Sequence, residues 1–234
     1  MEEQLMLTDR LASIGELASG IAHELNNPLT SVIGFSQLLL EEDLSQNLKE
    51  DLGTIYSEAQ RASAIVKNLL TFARKHAPMR QISQVNNILE DVLKLRSYEQ
   101  KVNNIELEKQ YAADLPEIMV DYFQMQQVFL NLIVNAESAM LEANGRGKMV
   151  ITTGRNNHTV KVTITDNGPG IAKENLRRVF DPFFTTKEVG KGTGLGLSIC
   201  HGIVTGHGGR IYAEGEVKQG ATFVVELPAN GNST

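Results

Sequence analysis

Apolar residues recur at alternating steps of three and four along the first part of the chain, which is the spacing of a long amphipathic helix with a narrow seam. Two such series are separated by the polar stretch 42–47. They comprise Leu7, Leu11, Ile14, Ala18, Ile21, Leu25, Val32, Phe35 and Leu39, and then Leu48, Leu52, Ile55, Ala59, Ala62, Val66 and Leu69. The pattern predicts an antiparallel helical hairpin. Because two helices cannot bury such long stripes against each other alone, we expect a second copy to complete a four-helix bundle, as a homodimer.

The pattern changes near Pro78, where β-type runs begin to alternate with helical ones. Helices are predicted over Asp121–Leu141, with Asp121 as N-cap, and over Gly194–Thr205. Strands are predicted at 150–153, 160–165, 210–213 and 221–227, with a turn at 154–157. These elements predict an α/β layer structure with strands on one side and helices on the other, and hence two domains, 1–77 and 78–234.

Composition restricts the function classes. Hydrophobic residues make up 41% of the chain and charged residues 21%, as in ordinary globular proteins. The net charge of −6 argues against nucleic acid as the main partner. We expect no membrane contact, because no apolar run approaches the roughly 20 residues of a spanning helix and the start lacks signal-peptide order. Cys200 is the single cysteine, so a reducing, cytoplasmic compartment fits, and its predicted role is packing.

His23 is the first candidate for chemistry. It lies two residues from both Ile21 and Leu25, so on a helix it points away from the seam that these two share. By itself this pattern is more typical of an ordinary surface histidine. Pro28, one turn further on, favours a kink of the kind that functional sites tolerate, but the segment alone leaves both interpretations open.

Three further motifs carry candidate chemistry. Asn131 and Asn135 share one helix face, where amide oxygens suit a magnesium ion that also holds phosphate, although two solvent-facing asparagines are as plausible. Asp166 follows a strand and precedes glycines, which suits an exocyclic amine and a flat ring; the same residues also suit a turn. The run 192–197 places glycines at a helix start, where free backbone amides cradle phosphate, but it matches neither the Rossmann nor the P-loop pattern.

The segment 177–187 mixes cations with aromatic residues that we expect to be exposed, and it leads into the flexible stretch 188–191. This composition suits a mobile lid whose cations meet phosphate and whose phenylalanines anchor it. A surface loop with a hydrophobic patch is the alternative.

The order of these motifs resembles that of the histidine kinases of two-component signalling. A His-Glu-x-Asn-Asn-Pro helix is followed by Asn-x-x-x-Asn, Asp-x-Gly-x-Gly, Phe-Asp-Pro-Phe-Phe-Thr-Thr-Lys and Gly-Thr-Gly-Leu-Gly-Leu. The resemblance extends from about Thr8 to Leu227. The residues of the first motif, 23–29, and of the fourth, 183–187, resemble those of the nitrogen-regulation subgroup.

The resemblance implies a role for each matching residue. His23 would accept the phosphoryl group, with Glu24 and Asn27 supporting phosphotransfer and dephosphorylation of a response regulator. Asn131 and Asn135 would hold Mg²⁺, with Asn135 the stronger candidate. The residues implied in ATP binding are these two and Asp166, Gly168, Gly170, Arg178, Phe180, Lys187, Gly192, Thr193, Gly194, Leu195 and Gly196, with Phe183 and Phe184 completing the aromatic motif of the lid.

The implied activity is ATP-dependent phosphorylation of His23, followed by transfer to an aspartate of a receiver domain. Related gyrase and heat-shock ATPases suggest plain hydrolysis instead, but they carry a glutamate base where this chain has Asn131, and an amide cannot take a proton. The third alternative is a degenerate kinase that acts as a dimeric scaffold. We also expect a hinge at 75–81 and assign no ligand role to His76, His158, His201 and His207.

Overall fold

The chain divides into two compact units, residues 1–77 and 78–234. The computed structural model of the protein describes residues 25, 27–42, 44–73, 79–156, 158–187, 192–217 and 219–229. Among the predicted site residues, His23 and Glu24 lie outside this described part of the chain, as do most of the expected hinge and the stretch 188–191.

The described part of the first unit consists mainly of two helices, with a short non-helical connection between them. Residues 27–40 form helix α1 and Gln46–Ala73 form helix α2. Of the residues whose burial is described in this unit, Ser36 and Ala59 are the two that are buried. Phe35, by contrast, is 68% exposed. The predicted helices are therefore confirmed in this range, and their pairing with a second copy stays a prediction.

The second unit is built on a five-stranded sheet, accompanied by a separate two-stranded sheet. The strands, in chain order, are β1 (Arg80–Ser83), β2 (Ile105–Gln110), β3 (Ile118–Asp121), β4 (Gly147–Asn156), β5 (Thr159–Asp166), β6 (Arg210–Gly215) and β7 (Ala221–Pro228). The large sheet has the order β2-β4-β5-β7-β6, in which β2 runs parallel to β4 and the other neighbours are antiparallel. Strands β1 and β3 form the small antiparallel sheet.

Three helices cover the large sheet: α3 (Val85–Val102), α4 (Tyr122–Asn144) and α5 (Gly196–Gly206). Helix α4 packs on β4 and β5, while α3 packs on β2 and α5 on β6. The alternating burial of β5 turns every second side chain toward this helical layer, which is the period of a strand with one covered face. The result is an α/β sandwich, which confirms the predicted fold class for this unit.

Several predicted boundaries shift. Asp121 caps α4 as predicted, since its Oδ1 accepts a bond from Gln124 N, but the helix continues past Leu141 to a left-handed Gly145. Helix α5 begins at Gly196 rather than Gly194, because Gly194 has a φ of +64° and cannot belong to a right-handed helix.

The turn predicted at 154–157 is wrong for its first three residues. Gly154, Arg155 and Asn156 continue β4 and pair with Lys161, Val160 and Thr159 of β5, so the connection is shorter than the polar pattern indicates. Helix α3 and strands β1, β2 and β3 have no counterpart in the prediction from sequence.

Candidate functional site

Asp166 places a buried carboxyl at the end of a central strand. It continues the every-second-residue pattern of β5, so its side chain points into the helical layer, and it is only 4% exposed. Its Oδ1 accepts a bond from the backbone N–H of Gly168 at 2.8 Å. Burial raises the pKa of this carboxyl above its ordinary value, although backbone hydrogen bonds from Gly168 and Ala221 act in the opposite direction. Because an ionised carboxylate offers about four acceptor positions on its two oxygens, Asp166 can still accept a further donor.

The glycines around Asp166 keep the backbone close. A Cβ on Gly168 would lie 2.7 Å from the Asp166 carboxylate, and a Cβ on Gly170, where φ is +76°, would lie 2.0 Å from the Glu216 carbonyl oxygen. Gly220 is equally confined, because its Cβ would lie 1.9 Å from the Asp166 carbonyl oxygen. Side chains at these positions would displace the walls around the carboxyl.

The two predicted amides lie on α4, one turn apart and half-buried. Asn131 reaches the start of α5, where its Nδ2 donates to the carbonyl oxygen of Gly196 at 3.4 Å. The structure thus brings the Asn-x-x-x-Asn helix and the glycine run together. The fit to a magnesium ion rests on donor type, because amide oxygens on one helix face are hard, neutral ligands.

The glycine run and the aromatic motif of the lid are joined through their backbones. Phe183 N donates to the Gly194 carbonyl oxygen at 3.0 Å, and a Cβ on Gly194 would lie 2.4 Å from the Phe183 carbonyl carbon. Phe183 itself has a φ of 65°, a conformation that a bulky residue adopts only under constraint. The residue is 67% exposed.

The other two phenylalanines of this motif are covered, contrary to the expectation of exposed aromatics. Phe180 is half-buried and packs edge-on against Phe223 of β7, with ring centroids 6.4 Å apart. Phe184 is also half-buried, and the Arg178 guanidinium lies over its ring at 4.6 Å. These contacts hold Phe180 against the sheet and Phe184 against Arg178 of the same segment, 177–187, whose role as a lid stays a prediction.

Lys187 connects the lid to α4. Its Nζ donates to the Ser138 hydroxyl and lies 3.8 Å from the Glu142 carboxylate, and its side chain is 24% exposed. Ser138 and Glu142 had no role in the sequence argument. They follow Asn135 by three and seven residues and so share its face of α4, and this helical spacing could have identified them from the sequence.

Two other residues were missed. Asn167 fixes the loop after β5, since its Oδ1 accepts from Lys148 N at 2.8 Å and its carbonyl accepts from the Asn144 amide. Gly220 was missed because a glycine before a strand is usual in any turn. Asn27, in the first unit, is exposed on α1.

Two family models match the chain. The model described as "His Kinase A (phospho-acceptor) domain" covers residues 13–78, a range that includes His23. The model described as "Histidine kinase-, DNA gyrase B-, and HSP90-like ATPase" covers residues 120–231, which holds every predicted ATP-binding residue.

Individual proteins agree with these models. The sensor kinase CckA of Brucella abortus (strain 2308) is 36% identical over 97% of this chain and 25% of its own length. The solved catalytic domain of the histidine kinase ThkA is 33% identical with a TM-score of 0.57, covering 64% of this chain and 95% of that one. ThkA in complex with the response regulator protein TrrA is 29% identical with a TM-score of 0.70, covering 100% and 67%.

The chain spans between 25% and 49% of the length of the first curated relatives it matches. Within its described residues, no helix has both the length and the apolar character that crossing a membrane requires. A region that matches the phospho-acceptor domain is followed by an α/β sandwich that matches the ATPase domain. The chain therefore belongs to the histidine kinase family.

Proposed function

We propose that this chain binds ATP in its second unit, transfers the γ-phosphoryl group to His23 and then passes it to an aspartate of a response regulator. The observation that carries the proposal is the contact between Asn131 and the glycine run, in the same α/β unit as the buried Asp166 and after a phospho-acceptor region in the sequence. The ThkA complex with a response regulator supports the choice of partner.

The adenine amine would bind at Asp166. Burial raises the pKa of this carboxyl, and the two backbone amides that bond to it offset only part of that effect. A donor on the ligand would add a further hydrogen bond and stabilise the ionised carboxylate. The close backbone around Gly168 and Gly170 would accept a flat ring and exclude bulkier groups.

The triphosphate would follow the segment from Gly192 to Gly196 and end at the start of α5. Free amide groups at a helix N-terminus favour anions. Asn131 and Asn135 would hold Mg²⁺, with Asn135 as the principal ligand, and the ion would neutralise phosphate charge. Lys187 and Arg178 would supply the remaining cations from the lid, with Thr193 and Leu195 lining the same run.

The transfer itself needs alignment more than covalent help. A neutral imidazole nitrogen of His23 forms the new P–N bond as the bond between the γ-phosphorus and the bridging oxygen of ADP breaks. Glu24 would orient or take the proton on the other ring nitrogen. The phosphoramidate then reacts with a receiver carboxylate, and Asn27 would orient water when the phosphorylated regulator is hydrolysed.

The finer assignments extend this proposal. We propose residues 1–77 as the dimerisation and phosphotransfer domain, residues 78–234 as the catalytic domain, a homodimer as the working form, and a cytoplasmic site of action for this segment. The wording of the His23 motif further supports a nitrogen-regulation-like subgroup.

Labelling with γ-³²P-ATP and Mg²⁺ tests the function. We expect acid-labile, base-stable label on the full chain and none on His23→Gln. Free phosphate without label would instead support the hydrolysis alternative, and bound ATP without label or release would support the scaffold. Asn27→Ala should lose regulator dephosphorylation more than autophosphorylation; equal losses would contradict the role of Asn27.

A further inference from the structure

Asp121 holds two separate segments with one buried carboxylate. Its Oδ1 accepts from Gln124 N at 3.1 Å and caps α4, while its Oδ2 accepts from Met79 N at 3.1 Å. Asp121 itself is 7% exposed, so its carboxylate is largely removed from water. The chain that enters the second unit is therefore fixed to the start of α4 through a charge-assisted bond.

His207 ties the same point to α5. Its Nε2 accepts from the backbone N–H of Asp121 at 3.0 Å, and its Nδ1 lies 2.8 Å from the Ile203 carbonyl oxygen. A carbonyl oxygen only accepts, so Nδ1 carries the proton. The backbone N–H of Asp121 is a donor, so Nε2 is the unprotonated nitrogen of the ring. The buried ring thus acts as a neutral connector with a defined tautomer.

Arg80 adds a second tie between the entering chain and α5. Its Nη2 donates to the carbonyl oxygen of Gly206, the last residue of α5, at 2.6 Å. Arg80 also pairs with Asp121 in the small β1–β3 sheet. A cation at a helix C-terminus is favoured by the helix dipole.

The two helices that meet at this point also carry the nucleotide motifs. Along the pair, His207 contacts Asp121, Cys200 Sγ lies 3.7 Å from the Val128 carbonyl oxygen, and Asn131 Nδ2 reaches Gly196. Residue numbers increase along α5 as the numbers of their partners on α4 decrease, so the two helices run antiparallel. One end of the pair holds the entering chain, and the other end, about 15 Å away at 1.5 Å per residue, holds the proposed phosphate site.

We propose that Asp121 and His207 are positioning residues that couple the chain at Met79–Arg80 to nucleotide binding. This inference rests on the proposed function. A shift of the entering strand pulls on the cap of α4 and on the end of α5 together, and so moves Asn131 relative to Gly196. Coupling of this kind is reciprocal, so bound nucleotide should also restrain Met79 and Arg80.

Hydrogen exchange on the full chain, with ADP and Mg²⁺ as the probe, tests the coupling. We expect ADP to slow exchange of the amides of β1 about threefold or more in the wild type. His207→Leu should abolish this protection and weaken ADP binding about threefold to tenfold. His207→Gln, whose amide oxygen can accept from Asp121 N, should retain most of both effects.

A second pair of variants avoids the buried ring. Met79 is 83% exposed, so Met79→Ala, which removes most of the side chain, should behave as the wild type. Met79→Pro also removes the N–H that Asp121 binds and fixes φ at this residue, and it should lose the protection at Gln81–Ser83.

The outcomes separate this inference from the proposed function. A wild type that binds ADP without protecting β1, or a Met79→Pro variant that keeps the protection, overturns the coupling alone. A wild type that binds no ADP overturns the proposed function and the coupling with it.

Discussion

Asp166 combines a charge with almost complete burial, an arrangement that costs stability unless a ligand completes it. Because the pKa is raised in the folded chain, the folded state binds this proton more tightly than the unfolded state. The free energy of unfolding therefore falls as pH rises from the ordinary pKa of 3.8 to the raised one, and the cost is fully present above the raised pKa. A cost of this kind agrees with the ligand-binding role proposed for Asp166.

Asp166→Asn should separate these two properties. The amide removes the buried charge, so we expect an unchanged or higher Tm at pH 7, together with ADP binding that is weaker by about tenfold to a hundredfold, since a bond to a charged group contributes about 1.5–3 kcal/mol. Calorimetric titration and thermal unfolding measure both quantities. Asp114→Asn, an exposed matched change, should alter neither; a clear loss of stability in Asp166→Asn would contradict this account.

Gly194 offers a second test at the residue scale. An added Cβ would meet the Phe183 backbone at 2.4 Å in a left-handed conformation, which by itself costs roughly 1–2 kcal/mol. We expect Gly194→Ala to raise the KM for ATP at least about tenfold. Gly202→Ala on α5 is the control, because its Cβ meets nothing within 4 Å and alanine favours a helix by about 0.5–1 kcal/mol. Equal kinetics for the two variants would contradict a constrained junction.

At the scale of elements, contacts with α3 fix the rotation of α4 about its own axis. These contacts lie on the side of α4 away from Asn135, the proposed ligand of Mg²⁺. Glu137, with a side chain only 5% exposed, accepts from Arg96 at 2.7 Å and from Gln100 at 2.9 Å, both on α3. It follows Asn135 by two residues, or about 200° around the helix. Binding Glu137 to α3 therefore turns Asn135 toward the opposite side.

Removing Arg96 should be costly because it leaves a buried carboxylate with one neutral partner. We expect Arg96→Met to lower the free energy of unfolding by about 3–5 kcal/mol and the Tm by about 10 °C. Lys101→Met, at an exposed position of the same helix, should stay within about 0.5 kcal/mol. Adding Glu137→Met to Arg96→Met should recover most of the loss, and a double variant no more stable than the single one would contradict the ion-pair account.

At the scale of the whole molecule, the first unit presents an apolar surface that its own described residues leave open. Phe35, Leu38 and Ile55 are 68%, 61% and 49% exposed on the two helices. Exposed apolar rows of this length mark association surfaces. A second copy that covers them would give both chains the same buried seam.

Phe35→Glu tests the dimer. A charge at the seam of both copies should weaken association about a hundredfold or more, because each chain loses about 1.5–3 kcal/mol of side-chain burial. Sedimentation should show a monomer that still binds ADP through its second unit. The matched control, Gln37→Glu at a neighbouring exposed position, should remain dimeric, and a dimeric Phe35→Glu would contradict the assignment of this face.

Much of the fold was predictable because its signals are local. The seam of the first unit, the alternation of β5, the β-type run of β7 and Asp121 as the cap of α4 all appear in short windows of sequence. Helix α3 was missed although its buried apolar residues, Val85, Ile88, Leu89, Val92 and Leu93, have the three-and-four spacing of a helix. Strands β1 and β3 were missed because four residues each give too little alternation to detect.

The sequence by itself determined the family and the chemical types at the site, because the order of motifs and the donor atoms of each side chain do not depend on the fold. Only the tertiary structure decided which of these residues meet. It decided the burial that raises the pKa of Asp166 and the contact between Asn131 and Gly196. It also decided the link from Met79 through Asp121 to His207, which joins residues 128 positions apart along the chain. Such contacts depend on the packing of α4 and α5 over the sheet, which no local window records.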